Sequence, residues 1–230
     1  MRPDSRGPGE NSRVLRTLPR VVESPPGKPV RPGVESAQAR SRGLVLDPAT
    51  WTGAERSRTV DVYRDLARSW NEERGSYRAD PMRDALRRGG ELPPGLCAEV
   101  ASGTGLLTPL LTEVWESVVS LDVSWDMLAR SRHPWRVRAD AAQLPLPDHS
   151  AAAVVLADAP LFVNEVLRVL RPEGVVVWSN ALGTTAPHYV PPDDVATALA
   201  EADRSRRWDG HTSEAGWGVW AVLRSTRWHR

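Results

Sequence analysis

The sequence predicts an α/β fold, a mostly parallel sheet covered by helices on both faces. Three observations predict it. From Leu96 onward, short apolar runs alternate with segments of helical character. A turn of small residues, Ala101-Ser102-Gly103-Thr104-Gly105, separates the first run from the helix after it. Acidic residues mark the runs: Glu99 lies inside the first, Asp122 ends the second and Asp140 ends the third. Strands that alternate with helices in this way are buried on both faces, as in parallel sheets.

The chain of 230 residues is long enough for one large domain, or one domain and a tail. A formal net charge of +1 supplies no global attraction to nucleic acid or membranes. Lys28 is the only lysine, an arginine bias from which no function is read. Cys97 is the only cysteine, which rules out an intramolecular disulfide and a multi-cysteine zinc site. A reducing cytoplasm is therefore the expected compartment. No apolar run approaches the ~20 residues of a membrane span, and no apolar segment near the start reads as a secretory signal.

Taken in order, residues 1–43 carry seven prolines, five glycines and no aromatic residue. Such a segment has little apolar surface to offset its chain entropy, so a disordered, mildly basic tail is expected. It holds five more basic than acidic residues, enough to serve as an arm for an acidic partner. Residues 44–230 are expected to form the domain: a helical cap over 44–90, a core over 96–180, and a C-terminal helix and hairpin over 181–230. Between Pro48 and Arg88, Val60, Val62, Tyr63, Leu66 and Trp70 recur at helical spacing. Tyr63, Trp70 and Tyr77 read as core anchors, or one of them as a lid. Arg88-Gly89-Gly90 and Pro93-Pro94-Gly95 end the helical stretch.

Strands are then expected at Leu96–Val100, Ser117–Asp122, Trp135–Ala139, Ala152–Ala157, Val175–Trp178 and Trp217–Leu223. Helices are expected from Gly103 to Leu110, Trp125 to Arg130, Leu161 to Leu170 and Asp193 to Asp203. Asp209-Gly210 reads as a hairpin turn.

The turn after the first strand carries the chemistry. Small residues let a ligand approach the main chain, and the helix beyond offers free N–H groups. The dinucleotide fingerprint G-x-G-x-x-G does not fit: its third glycine would fall on Thr108 or on Leu106. A carboxylate at Asp122 suits paired ribose hydroxyls, and a helix cap is its structural alternative.

The spacing from Glu99 through Ala101, Gly103 and Gly105 resembles motif I of class I S-adenosylmethionine-dependent methyltransferases, with Ala101 in place of the first glycine. Arg138-Ala139-Asp140-Ala141-Ala142-Gln143-Leu144-Pro145-Leu146-Pro147-Asp148 resembles that family's segment after the third strand. Asn164 through Val177 resembles its stretch between the fourth and fifth strands, with Glu173 replacing a glycine. The resemblance covers Leu96 to Trp178. It implies a doubly wound, mostly parallel seven-stranded sheet with an antiparallel last strand, Trp208 to Trp220 supplying the final hairpin. It also implies S-adenosylmethionine as cofactor. Glu99, Ala101, Gly103 and Gly105 would form the cofactor loop, Asp122 would hold the ribose, Met127 would pack on adenine, and Asp140 and Ala141 would bind its edge.

The implied reaction is in-line methyl transfer to a small-molecule acceptor, which demands orientation more than a dedicated catalytic group. Candidates for such a group are Asp158, His188 and Tyr189, in loops after the fourth and fifth strands; Asp158 could instead cap the following helix. Asp158-Ala159-Pro160-Leu161 lacks the first proline and the aromatic of the Asp/Asn-Pro-Pro-aromatic motif of base-modifying enzymes, which disfavours nucleic acid as substrate. His133, His149 and His211 lack metal-ligand spacing, so no metal is expected. An inactive relative that keeps the fold to bind a cofactor or a partner is the alternative, and a methyltransferase of macromolecules guided by the tail is a third reading.

Overall fold

The computed structural model describes residues 14–29, 33–74 and 77–227. The chain opens with β1 (Leu15–Thr17), followed by the helices α1 (Val34–Leu46), α2 (Gly53–Leu66), α3 (Trp70–Arg74) and α4 (Ala79–Arg88). The alternating part comprises β2 (Leu96–Val100), α5 (Thr108–Thr112), β3 (Ser117–Asp122), α6 (Trp125–Leu128) and β4 (Arg136–Arg138). It continues through β5 (Ala151–Ala157), α7 (Val163–Val169), β6 (Leu170–Asn180) and α8 (Pro192–Ala202), and closes with the hairpin β7 (Arg206–Ala215) and β8 (Gly218–Arg227).

Among the described residues the sheet has eight strands, in the order β1-β7-β8-β6-β5-β2-β3-β4. Strand β8 runs antiparallel to both neighbours, and the other pairings are parallel. The chain winds outward from β2 through β3 to β4, then returns to β5 and winds the other way. Strand order therefore reverses between β2 and β5, where an open parallel sheet leaves its ligand crevice at the carboxyl ends.

Burial explains the strand assignments. Six of the seven residues of β5 are buried, as expected of a central strand. Its side chains alternate between two cores: Val154 and Leu156 join one with Val176, Trp178 and Leu199, and Ala153 and Val155 join the other with Val177, Leu111 and Trp220. Helix α4 lies over β8. Its buried Asp84 accepts from Trp220 Nε1 at 2.8 Å and from Arg88 one turn on at 3.1 Å.

Several expectations need correction. Ordered structure does not begin near Leu44. Strand β1 adds to the sheet edge beside β7, with Leu15 buried, and α1 starts at Val34. The free N–H and C=O groups of an edge strand recruit backbone whatever its composition. Ser213 Oγ donates to Leu18 O at 3.0 Å, and Leu18 N to Thr212 O at 2.8 Å. The rest of the expected tail, residues 1–13 and 30–32, lies outside the described residues. Strand β1 also makes the sheet eight-stranded rather than seven-stranded.

The hairpin turns at Gly216, not at Asp209-Gly210, which lie inside β7. Gly210 is needed there for another reason: a Cβ on it would stand 2.0 Å from Val222 O. The helix expected from Gly103 starts only at Thr108, because Gly103 and Gly105 both have left-handed backbone.

Replacing Asp84 with Ala should lower the unfolding free energy by about 2–3 kcal/mol, because it strands a buried indole N–H and the charge of Arg88. Urea unfolding of the variant against the parent chain measures this, and a loss below about 0.5 kcal/mol would show that the Trp220 bond contributes little.

Candidate functional site

A cavity of about 870 Å³ opens at the carboxyl ends of β2, β3 and β5, roofed by α1, α2 and α3. Its floor begins with the loop after β2. Ala101, Gly103 and Gly105 all have positive φ, at 56°, 58° and 74°. Two of these are glycines, for which that region is free, but Ala101 holds it as an L-residue at a cost of about 1–2 kcal/mol. Neighbouring bonds enforce the path: Ser102 N donates to Leu121 O at 3.0 Å and Gly103 N to Asp122 Oδ2 at 2.8 Å. The buried Ser102 hydroxyl has no hydrogen-bond partner among the described residues, and Ser102 lines the cavity. Asn71 on α3 reaches down to this loop, its Oδ1 accepting from Thr104 Oγ1.

Glu99 and Asp122 support the loop from below. Thr108 Oγ1 and Ser120 Oγ donate to Glu99 Oε2 at 2.6 and 2.8 Å. Burial outweighs these bonds and pushes the Glu99 carboxyl up to about 7. Asp122 accepts from Gly103 N through Oδ2 and from Ser124 N through Oδ1, each at 2.8 Å, so one side chain ties the loop after β2 to the start of α6. Burial raises its carboxyl as well. Met127 is buried beside Gly103, where its Cε would stand 3.4 Å from a Cβ on that glycine.

Of the residues singled out from the sequence, Glu99, Ala101, Gly103, Asp122, Met127 and Ala141 line this one cavity. Gly105 is set back from it, and a Cβ there would meet Ser131 Oγ at 2.4 Å, so this glycine serves packing. Asp140 is also set back. Its carboxylate accepts from Trp51 Nε1 at 2.9 Å, from Arg56 at 3.3 Å and from Ala142 N at 2.9 Å. The start of the cap is thus anchored on the acid expected to meet adenine.

At the far end, Asp158 also lines the cavity, with φ 50°. It does not cap α7, whose first turn has no side-chain cap. Instead Oδ1 accepts from Ala181 N at 3.1 Å, and Oδ2 pairs with Arg78. His188 lines the cavity too. Its Nδ1 is 2.9 Å from Ser41 Oγ on α1, and its Nε2 is 3.2 Å from the Tyr63 hydroxyl on α2. Burial lowers the imidazole to about 4, so it is neutral at physiological pH, and burial likewise raises the Tyr63 phenol to about 12. Tyr189 turns away and packs with Tyr77 and Ala181 near Trp217.

Tyr63, Trp70 and Tyr77 all line the cavity. Trp51, Ser41 and Arg78 escaped the sequence reading, because each meets its partner across 80 or more residues. Among the described residues no group of three or more His, Cys, Asp or Glu side chains could hold a metal, and no helix is long and apolar enough to cross a membrane.

Residues 98–178 match the family model of the methyltransferase domain. No curated protein is similar enough in sequence to match. Solved structures share the fold. DhpI in its SAH complex superposes with a TM-score of 0.59 at 21% identity, over 74% of this chain and 97% of that one. A SAM-dependent methyltransferase from Aquifex aeolicus gives 0.52 at 18% identity, over 72% and 97%. A chain from the Haloferax volcanii complex of the Trm112 methyltransferase activator gives 0.58 at 13% identity, over 72% and 98%. The chain shares the fold of these structures, and the segment that matches the methyltransferase domain spans β2 to β6, the strands around the cavity.

Two outcomes test the loop. Since the folded Glu99 keeps its proton up to about pH 7 while an unfolded Glu releases it near 4.5, stability should fall as pH rises through that window and level off above it, by up to about 3 kcal/mol. Glu99→Gln should flatten this part of the curve, as read from urea unfolding at pH 5 and pH 8; an unaltered slope would assign it to other groups. Ala101→Gly should raise stability by up to about 1 kcal/mol, the relief of left-handed strain less the added freedom of the unfolded chain. A drop in melting temperature would show that Ala101 is not strained.

Proposed function

We propose that this chain transfers the methyl group of S-adenosylmethionine to a small, largely apolar acceptor enclosed beneath the helical cap. The observation that carries the reading is one continuous cavity, which joins the loop of Ala101 to Gly103 to a pocket walled by Val62, Tyr63, Leu66, Trp70 and Leu182. Its volume is within the range of small-molecule sites and suits a cofactor and a compact acceptor together.

The residues present fit the cofactor. The unpartnered Ser102 hydroxyl and the small-residue backbone of the loop suit its amino-acid end. Each Asp122 oxygen spends one acceptor site on backbone and keeps another for a ribose hydroxyl. Met127 and Ala141 line the stretch toward Asp140, where an adenine ring would lie. Gly105 supports the loop without touching the ligand.

When bound, the cofactor supplies an electrophilic methyl group on a sulfonium, and the acceptor supplies the electron pair. The protein's work is alignment and exclusion of water. Tyr63 and Ser41 close the cap onto His188, and Arg78 closes it onto Asp158, so the roof seals where the acceptor would lie. Asp158 and His188 are then walls of the acceptor end, and Tyr189 has no part in it.

Calorimetry with S-adenosylhomocysteine should show binding to the intact chain. Asp122→Ala should weaken it by about 1–3 kcal/mol, the range for a charge-assisted bond, and Asp140→Ala should weaken it by freeing Trp51 and Arg56 of the cap. An absence of binding by the parent chain would sink the proposal, and unchanged affinity in either variant would remove that residue from the site.

A further inference from the structure

The acceptor end of the cavity is unusually basic for a pocket with apolar walls. Arg74 and Arg78 both line it, with side chains only 12% and 14% exposed. Each guanidinium carbon lies 4.9 Å from the centre of the same Trp70 ring, so two like charges share one indole. Arg78 also lies 5.9 Å from the Tyr77 ring. Their counter-charges are unequal. Arg78 pairs with buried Asp158, but Arg74 pairs at 2.7 Å with Glu73, which is half exposed and open to solvent screening. Arg40 faces the same end from α1. Two part-buried arginines thus stand beside one buried carboxylate, Asp158, at this end, with the exposed Arg40 beyond them. At His188 burial is the main influence toward the neutral form; Asp158 opposes it, and Arg78 and Arg40 add to it. Arg78 Nε is buried with no partner among the described residues, a donor that folding has left unspent.

We propose that Arg78, assisted by Arg74, seats the carboxylate of the methyl acceptor, so that the acceptor is an aromatic or apolar carboxylic acid. A planar guanidinium held by stacking on Trp70 suits a carboxylate, because its donors are already oriented. An anion there satisfies Arg78 Nε and relieves the repulsion between the two arginines. The rest of the molecule has Tyr63, Trp70, Val62 and Leu66 to pack on. Arg78 pairs with the residue after β5, on the opposite side of the crevice from Asp122, which sets this seat apart from the expected ribose position. The inference rests on the methyl-transfer reading above and adds the acceptor's charge.

Calorimetry on the full chain saturated with S-adenosylhomocysteine tests it with benzoate and phenylacetate against their neutral amides. The acids should bind at least tenfold more tightly than the amides. Arg78→Gln should abolish that preference and Arg74→Gln should reduce it, while amide binding changes less than threefold. Removing Arg78 leaves Asp158 buried and unpaired, so Arg78→Gln combined with Asp158→Asn guards against misfolding and should also lack the preference. A second arm compares S-adenosylhomocysteine with 5′-methylthioadenosine, which has no carboxylate. If Arg78→Gln weakens only the former, and as strongly as it weakens benzoate binding, the seat belongs to the cofactor and the proposal fails. Equal binding of acids and amides by the parent chain, or a preference that survives both single variants, overturns it too. No S-adenosylhomocysteine binding at all overturns the methyl-transfer reading itself.

Discussion

A single carboxylate at the end of β3 holds the crevice in shape. Asp122 accepts from Gly103 N on one side and from Ser124 N on the other. It thereby fixes the loop after β2 and the first turn of α6 relative to each other. Both bonds are charge-assisted and buried, the circumstance in which one hydrogen bond contributes most. The left-handed backbone of Ala101 is stable only because such bonds over-determine the loop around it. Beneath them Glu99, Thr108 and Ser120 tie β2, α5 and β3 into one unit. The small-residue cradle follows from these ties and not from glycine content alone.

The roof is built differently. Neither α2 nor α3 has a fully buried residue among those described. These helices are held by polar contacts at their inner edges: Trp51 and Arg56 on Asp140, Tyr63 on His188, Asn71 on Thr104, and Arg78, at the start of α4, on Asp158. An element with little buried apolar surface opens at lower free energy than the core beneath it. The same contacts that close the cavity therefore make the roof the part best able to move aside for a ligand. Asp140 sits at the centre of this arrangement, since the cap already uses the acceptor sites that adenine would claim.

The floor of the cavity was legible in the sequence because its determinants are local. Glu99, Ala101, Gly103, Asp122 and Met127 stand at fixed distances from strand ends, and strand ends follow from apolar runs. The end of the cavity near Asp158 and His188 was only half legible. Asp158 and His188 could be nominated from their loops, but Arg78, Ser41 and Trp51 acquire meaning only when the cap folds over the sheet. Tyr189 shows the limit of loop position as a guide, since the residue next to His188 points elsewhere. Two misreadings have physical causes. Strand β1 lies in a proline-rich stretch and is recruited by an open sheet edge. Asp209-Gly210 reads as a turn yet sits mid-strand, because β8 passes too close for a side chain at Gly210.

Strand β1 also bears on how the molecule is made. Its contacts with β7 join residues some 195 positions apart, as in the bond from Ser213 to Leu18. On the ribosome this early segment must wait for the last hairpin to emerge before it has anything to pair with. The core between β2 and β6 can assemble meanwhile, leaving the edge of β7 to be covered last. Closure of the sheet is thus a late, long-range event, and the newly made chain passes through a stage in which both β1 and its docking edge are open to other strands.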